Sequence, residues 1–468
     1  MTVYDCVLHS GELDALKIRL QTLDDVVDHI VVIEVAEQST GEPWISPLRS
    51  RWHELAPWTK KLRHVVVTAP QVTKLTQRAR RLARDLVASE FAPFEQAGRG
   101  LLDIAPGDTV VFSEVRNIPD ADWVRRAAAR DLITETFMVR AQPQTQSIAP
   151  DSGNAEFGGI AVRYGSGVLV RPSITLVAEK RRLRKAQRGA EVGTRVIPSS
   201  REAELPEAPH DQDRRPVIIC AYLHDEDAQI VTENFGLEDE RGSRLPFFLW
   251  QDTERIGPER AFEHCWNQFP GRDVIIVHPD MRPLPDDPAN HWYEALIASV
   301  AQLPDAGIVG ADLLFPHHTD SGHWACQSVG GRIRNGKISH IHGKMRSYDD
   351  RYGKVRRTDW ATFGGVYIRR EAIDMVGSFD SRYKWAYVMD VDYCMEVQLR
   401  GMRIYQTPVN LIHEENGTTR SFLAEAEYKQ KVEANMDAFY DKWRPLFRNA
   451  GSGARASEAN YLPKFPGG

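Results

Sequence analysis

Asp273-Val-Ile-Ile-Val-His-Pro-Asp280 decides the fold of the second half of the chain: an unbroken apolar run that stops at a histidine, a proline and a carboxylate. A strand buried on both faces reads this way, and such strands belong to largely parallel sheets covered by helices. Runs of the same kind stand at Pro216-Val-Ile-Ile-Cys-Ala221, Phe247-Phe-Leu-Trp250 and Ala306-Gly-Ile-Val-Gly310, with helical spacing between them. Strands alternating with helices imply right-handed crossovers, and ligands of such sheets sit outside the carboxyl ends of the strands. His278 and Asp280 fall at such an end.

The first half repeats the pattern. His29-Ile-Val-Val-Ile-Glu34, Leu62-Arg-His-Val-Val-Val67 and Asp108-Thr-Val-Val-Phe-Ser113 read as buried strands, and Leu13, Leu16, Leu20 and Leu23 recur at helical spacing. Gln77 to Ser89 reads as a basic helix. From about Glu179 the apolar period stops: Lys180, Arg181, Arg182, Arg184, Lys185 and Arg188 lead into a Pro-, Ser- and acid-rich stretch. At 468 residues the chain exceeds one hydrophobic core, since cores stop growing near ~300 residues. The expectation is α/β: two domains with Rossmann-like, mostly parallel sheets joined by a polar linker. Their bounds are 1–178, a basic helix and linker over 179–215, 216–448, and a flexible tail over 449–468.

Composition narrows the function. A net charge of -6 argues against a nucleic-acid binder, whose domains carry a basic excess to neutralise phosphates. No stretch approaches the ~20 apolar residues of a membrane span. Met1 to Leu8 lacks the basic-then-apolar order of a signal peptide, so a cytoplasmic location is expected, with the basic run 180–188 a candidate contact for anionic lipid. Cys6, Cys220, Cys265, Cys326 and Cys394 are scattered and odd in number, which fits buried thiols rather than disulfides or a zinc site.

After Asp280 the second half carries an ordered series: Asp359-Trp-Ala-Thr-Phe-Gly-Gly365, Ile368-Arg-Arg-Glu371, Gly377-Ser-Phe-Asp380, Tyr387-Val-Met-Asp390-Val-Asp392 and a late His413. Taken one at a time these have ordinary readings. An Asp after a strand caps a turn, Asp390 and Asp392 suit a helix start, Gly364-Gly365 suits a turn, and a lone histidine satisfies a local hydrogen bond. In order and at this spacing, the series resembles the family 2 glycosyltransferases of GT-A fold over about Pro216 to Arg420.

That resemblance implies an inverting enzyme moving a sugar from a nucleotide-diphosphate sugar to a hydroxyl of a glycan, lipid or protein, with Mn²⁺ or Mg²⁺ as cofactor. Asp252 and Asn267 match positions that contact the nucleotide, with Trp360, Gly364 and Gly365 in the donor site. Asp280, with His278 and His413, matches the metal set, and Asp390 the general base. Two departures stand out: Met389 replaces the glutamate that usually precedes the base, and His278 stands where Asn or Asp is usual. The chemistry is coherent. A Lewis acid stabilises charge on the leaving diphosphate, and a carboxylate on the opposite face takes the proton of the attacking hydroxyl.

In the first half, Tyr4-Asp5-Cys6, Gly11-Glu-Leu-Asp-Ala-Leu-Lys-Ile-Arg19, Val32-Ile-Glu34 and Gly107-Asp-Thr-Val-Val-Phe-Ser-Glu114-Val-Arg116-Asn-Ile-Pro119 follow the order of family 17 glycosyltransferases. Arg116 stands where that family has a second metal-binding carboxylate, so the resemblance implies a degenerate domain. A non-catalytic carbohydrate- or nucleotide-binding protein and a nucleotidyltransferase are the competing readings.

Overall fold

The computed structural model describes residues 1–36, 44, 46–68, 99–105, 107–129, 134–140, 155–163, 194–196, 214–236, 238, 242–285, 291–334, 337–341, 346–349, 352–383, 387–414 and 425–451. The expected helix over Gln77–Ser89, most of the linker and the tail beyond residue 451 lie outside them. The chain divides into two compact units, one of Met1–Gln212 and one of Asp213–Gln398 with Met402–Pro463.

The first unit opens with β1 (Val3–His9), α1 (Leu13–Leu23), β2 (His29–Ala36), a short α2 (Pro47–Ser50) and β3 (Leu62–Thr68). It continues with β4 (Thr109–Glu114), β5 (Asn117–Pro119), α3 (Ala121–Ala129), β6 (Thr134–Arg140), β7 (Ala155–Arg163) and β8 (Thr194–Val196). The sheet runs β3-β2-β1-β4-β7-β6. The four strands from β3 to β4 are parallel, and β7 and β6 close the edge antiparallel. β8, inside the stretch expected as linker, pairs with β5.

α1 buries the leucines that predicted it, Leu13, Leu16, Leu20 and Leu23, together with Arg19. Arg19 survives full burial because all five of its N–H donors are used. Two go to the Asp5 carboxylate at 2.6 Å each, one to Ser113 Oγ at 2.7 Å, and two to the carbonyls of Glu114 (3.1 Å) and Asn117 (2.8 Å). One side chain thus ties the helix to β1 and to the turn after β4.

The second unit begins with β9 (Val217–Tyr222), α4 (Asp225–Phe235), β10 (Phe247–Gln251), α5 (Pro258–Asn267), β11 (Val274–Ile276), β12 (Met281–Pro283) and α6 (His291–Ala301). There follow β13 (Ala306–His318), β14 (Trp324–Ser328), β15 (Gly331–Arg334), β16 (Lys337–His340), β17 (Arg356–Thr358) and β18 (Val366–Ile368). α7 (Arg370–Val376), α8 (Met389–Leu399), β19 (Arg403–His413) and α9 (Glu425–Gly451) complete it, the last helix running past Asn449, where a tail is expected. The sheet order is β10-β9-β11-β18-β13-β19-β12. β10, β9 and β11 are parallel, as are β13 and β19, while β18 lies antiparallel between β11 and β13. Ile218, Ile275, Trp292, Leu296, Val309, Tyr367 and Leu411 form a continuous core beneath this sheet. All five cysteines are buried free thiols. Among the described residues no helix is long and apolar enough to cross a membrane.

Candidate active site

His278, Asp280 and His413 converge although they are far apart in sequence. The chain leaves β11 and turns back at once, with the Met281 N–H donating to the His278 carbonyl at 3.1 Å. β12 then pairs antiparallel with the end of β19, setting Met281 opposite His413, and the Asp280 carbonyl accepts from the Glu414 N–H at 3.0 Å. Each of the three residues contributes a ligand atom, all within 4.8 Å of one another, the one such group found among the described residues.

Neighbouring groups set the protonation of this cluster. The Gln327 amide N–H₂ donates to the His413 carbonyl at 3.2 Å, so its oxygen, 2.8 Å from His413 Nδ1, faces a ring N–H. In a neutral ring this leaves the Nε2 lone pair 3.2 Å from Asp280 Oδ1, two acceptors face to face. A proton on Nε2 or a shared cation removes that conflict. His278 stacks on Phe262 at 5.7 Å, and its ring bonds the Phe363 backbone, while Nε2 is buried with no hydrogen-bond partner.

Burial, with His413 beside it, pushes His278 down to about 4 against the pull of Asp280. Burial alone would raise Asp280, but with His413 protonated its hydrogen bond and charge, with His278, hold Asp280 at about 2. At neutral pH Asp280 is therefore an ionised carboxylate and His278 a neutral imidazole, the forms that coordinate a metal.

The loop from Trp360 to Gly365 joins this cluster to Asp390. At Gly365, φ is +62° and an added Cβ would lie 2.6 Å from Leu411; at Gly364 it would lie 3.1 Å from Met281 and 3.5 Å from the His278 ring. Only glycine lets the backbone pass so close. On the loop's other side the first turns of α8 pack down, Cys394 Sγ against the Ala361 carbonyl at 3.8 Å and Tyr393 edge-on to Phe363. Asp390 begins that helix, its Oδ1 accepting from the Val391 N–H at 2.9 Å, and burial pushes its carboxyl up to about 6. Before it, Tyr387 and Val388 both lie in the left-handed region, φ 80° and 59°. Such backbone in non-glycine residues costs about 1–3 kcal/mol each and persists only where surrounding contacts enforce it.

The remaining residues singled out by sequence sit at different depths. Asp252 follows β10 on the carboxyl edge shared with β11, buried, its Oδ1 capping the Ile256 N–H at 3.0 Å. Asn267 ends α5, exposed. Trp360 is buried beneath Gly331 and edge-on to His340 at 4.9 Å, so its ring offers no open face for a sugar. Gln327 was not marked by any motif, because a glutamine within a strand carries no signal of its partner across the sheet.

In the first unit Arg116 pairs with Glu12 at 3.1 Å, and Glu114 is exposed at the end of β4. Another buried carboxylate of this unit is Glu34. It meets His9 Nδ1 at 3.0 Å and His64 Nε2 at 2.8 Å, and it accepts from Ser46 Oγ and, at 3.1 Å, from the Leu48 N–H. Burial opposes its charge, but the hydrogen bonds from His64 and His9 prevail and hold it well below the usual carboxylate range.

A crystal structure of GalNAc-T7 with UDP, GalNAc and Mn²⁺ overlaps half of each chain at 10% identity with a TM-score of 0.33. The O-antigen biosynthesis protein RfbC of Myxococcus xanthus is 28% identical over 176 residues, which span 34% of this chain and 12% of that protein. Residues 1–140, within the first unit, match the model of glycosyltransferase family 17.

Proposed function

We propose that the second unit is the catalytic half of a metal-dependent, inverting glycosyltransferase that takes a nucleotide-diphosphate sugar as donor and a hydroxyl of a glycan, lipid or protein as acceptor. The observation that carries this reading is the convergence of His278, Asp280 and His413, with Phe363 and Gln327 bonded to the two rings. These residues would hold the ion, and two nitrogen donors beside one carboxylate favour Mn²⁺ over Mg²⁺. When bound, it supplies a Lewis acid for the leaving diphosphate.

The chain's own groups do the rest. Asp390 takes the acceptor proton, since a carboxyl near 6 is ionised at neutral pH yet basic enough to share the proton in the transition state. Gly364 and Gly365 keep the floor of the site low, and Asp252 on the carboxyl edge meets the nucleotide, whereas Asn267, at the far end of α5 by the amino end of β11, stands away from it. Trp360 supports the loop from below. Pairing of Arg116 with Glu12 favours a scaffold or acceptor-binding role for the first unit, because a fixed cation beside Glu114 disfavours a divalent ion.

Calorimetric titration with Mn²⁺ and hydrolysis of a panel of sugar nucleotides test the reading. Asp280→Ala is expected to weaken Mn²⁺ by at least about 100-fold and to abolish hydrolysis. Full activity in excess chelator would overturn the metal role.

A further inference from the structure

Behind Asp390 lies a cluster that the proposed chemistry does not use. Asp392 is 3% exposed and accepts from Tyr383 Oη at 2.9 Å and Trp443 Nε1 at 2.7 Å, with Lys442 Nζ at 2.9 Å. The same ammonium reaches Glu396 at 2.9 Å and Asp380 at 3.3 Å. Asn435, 1% exposed, donates to the Tyr387 carbonyl at 3.4 Å, and Phe439 beside it is fully buried. Asn435, Phe439, Lys442 and Trp443 share one face of α9 by their spacing of four, seven and eight residues.

The two ends of this grip bracket Asp390. Upstream it holds the carbonyl of Tyr387, the first of the two left-handed residues; downstream it holds Asp392, whose N–H donates to the Val388 carbonyl at 2.8 Å. The strained turn therefore has its enforcing contacts on α9. One lysine also answers three carboxylates in the segment that carries Asp390. We infer that α9 is a positioning element, in which Asn435, Lys442 and Trp443 hold Asp380 and clamp Tyr387–Glu396 and thereby fix the carboxyl of Asp390 toward the acceptor hydroxyl; this rests on the reading of Asp390 as the base.

A double-mutant cycle in the full chain, with Mn²⁺ and the turned-over sugar nucleotide, separates positioning from a general loss of structure. Lys442→Met is expected to lower kcat about 10- to 100-fold with donor KM within about twofold, since a misplacement of about 1 Å costs up to ~10² in rate. Lys442→Arg restores most of the loss. On an Asp390→Asn background, Lys442→Met removes nothing further, because the group it positions is gone. Equal losses in both backgrounds, or an unchanged kcat in the single variant, overturn the positioning role while leaving the base assignment standing. Where Lys442→Met gives no folded protein, Asn435→Ala carries the same cycle with only one contact removed. A wild type that turns over no sugar nucleotide, or an Asp390→Asn variant as fast as wild type, overturns the base assignment and this role with it.

Discussion

Asp390 holds its charge under two opposing influences, burial that disfavours the carboxylate and the N–H of Val391 that stabilises it, and burial prevails. With the carboxyl at about 6 the base form is scarce at pH 5 and dominant at pH 7, so kcat is expected to rise about tenfold across that interval. The sign follows from the shift: a carboxyl raised in the folded protein is protonated, and idle as a base, at a pH where an ordinary aspartate is already charged. A pH–rate profile at saturating donor and Mn²⁺ checks this, and an acidic limb near ~4 would place the base elsewhere. Asp390→Asn should lower kcat by about 10² to 10⁴ with donor affinity kept. Residue motifs carried this far. They do not carry the partner of each group: nothing in Trp324-Ala-Cys-Gln-Ser328 announces that Gln327 sets the tautomer of His413, and nothing in Glu34 announces four hydrogen bonds from His9, His64, Ser46 and Leu48.

Elements were legible in proportion to the length of their apolar runs. β2 to β4, β9 to β11 and β13 declare themselves because strands buried in such sheets need runs of apolar residues. β12, β17 and β18 have three residues each, too few for any period to show, and it is β12, paired with the end of β19, that brings the candidate metal ligands together. Orientation was not legible either, since an antiparallel β18 between β11 and β13 has the same composition as a parallel one. α1 shows the reverse case, a polar residue within an apolar stripe that does the joining. Arg19→Leu removes all five donors and leaves the Asp5 carboxylate buried without its counter-ion, so the first unit is expected to lose about 3–5 kcal/mol. Urea unfolding followed by tryptophan fluorescence measures it, and a loss below about 1 kcal/mol would mean that Asp5 finds another donor or is neutralised cheaply.

For the molecule as a whole, the division into two α/β units follows from size and from the loss of periodicity after Glu179, while the assignment of chemistry to one of them follows from Arg116 and from the triad of the second. The triad depends on β12 meeting β19, strands that close the sheet from distant parts of the sequence. Such pairing carries a large loop-closure entropy and belongs late on a folding path. On the proposed metal role, a nascent chain has no ion site until His413 has emerged and its strand has docked, so an ion would act on the finished sheet rather than on its assembly. Mn²⁺ at about 100 times its Kd is therefore expected to slow unfolding about 100-fold and to leave the refolding rate unchanged. Stopped-flow unfolding and refolding with and without Mn²⁺ distinguish the cases, and faster refolding with the ion would put the β12–β19 pairing in the transition state. The cation would then guide folding as well as lock the finished sheet against opening.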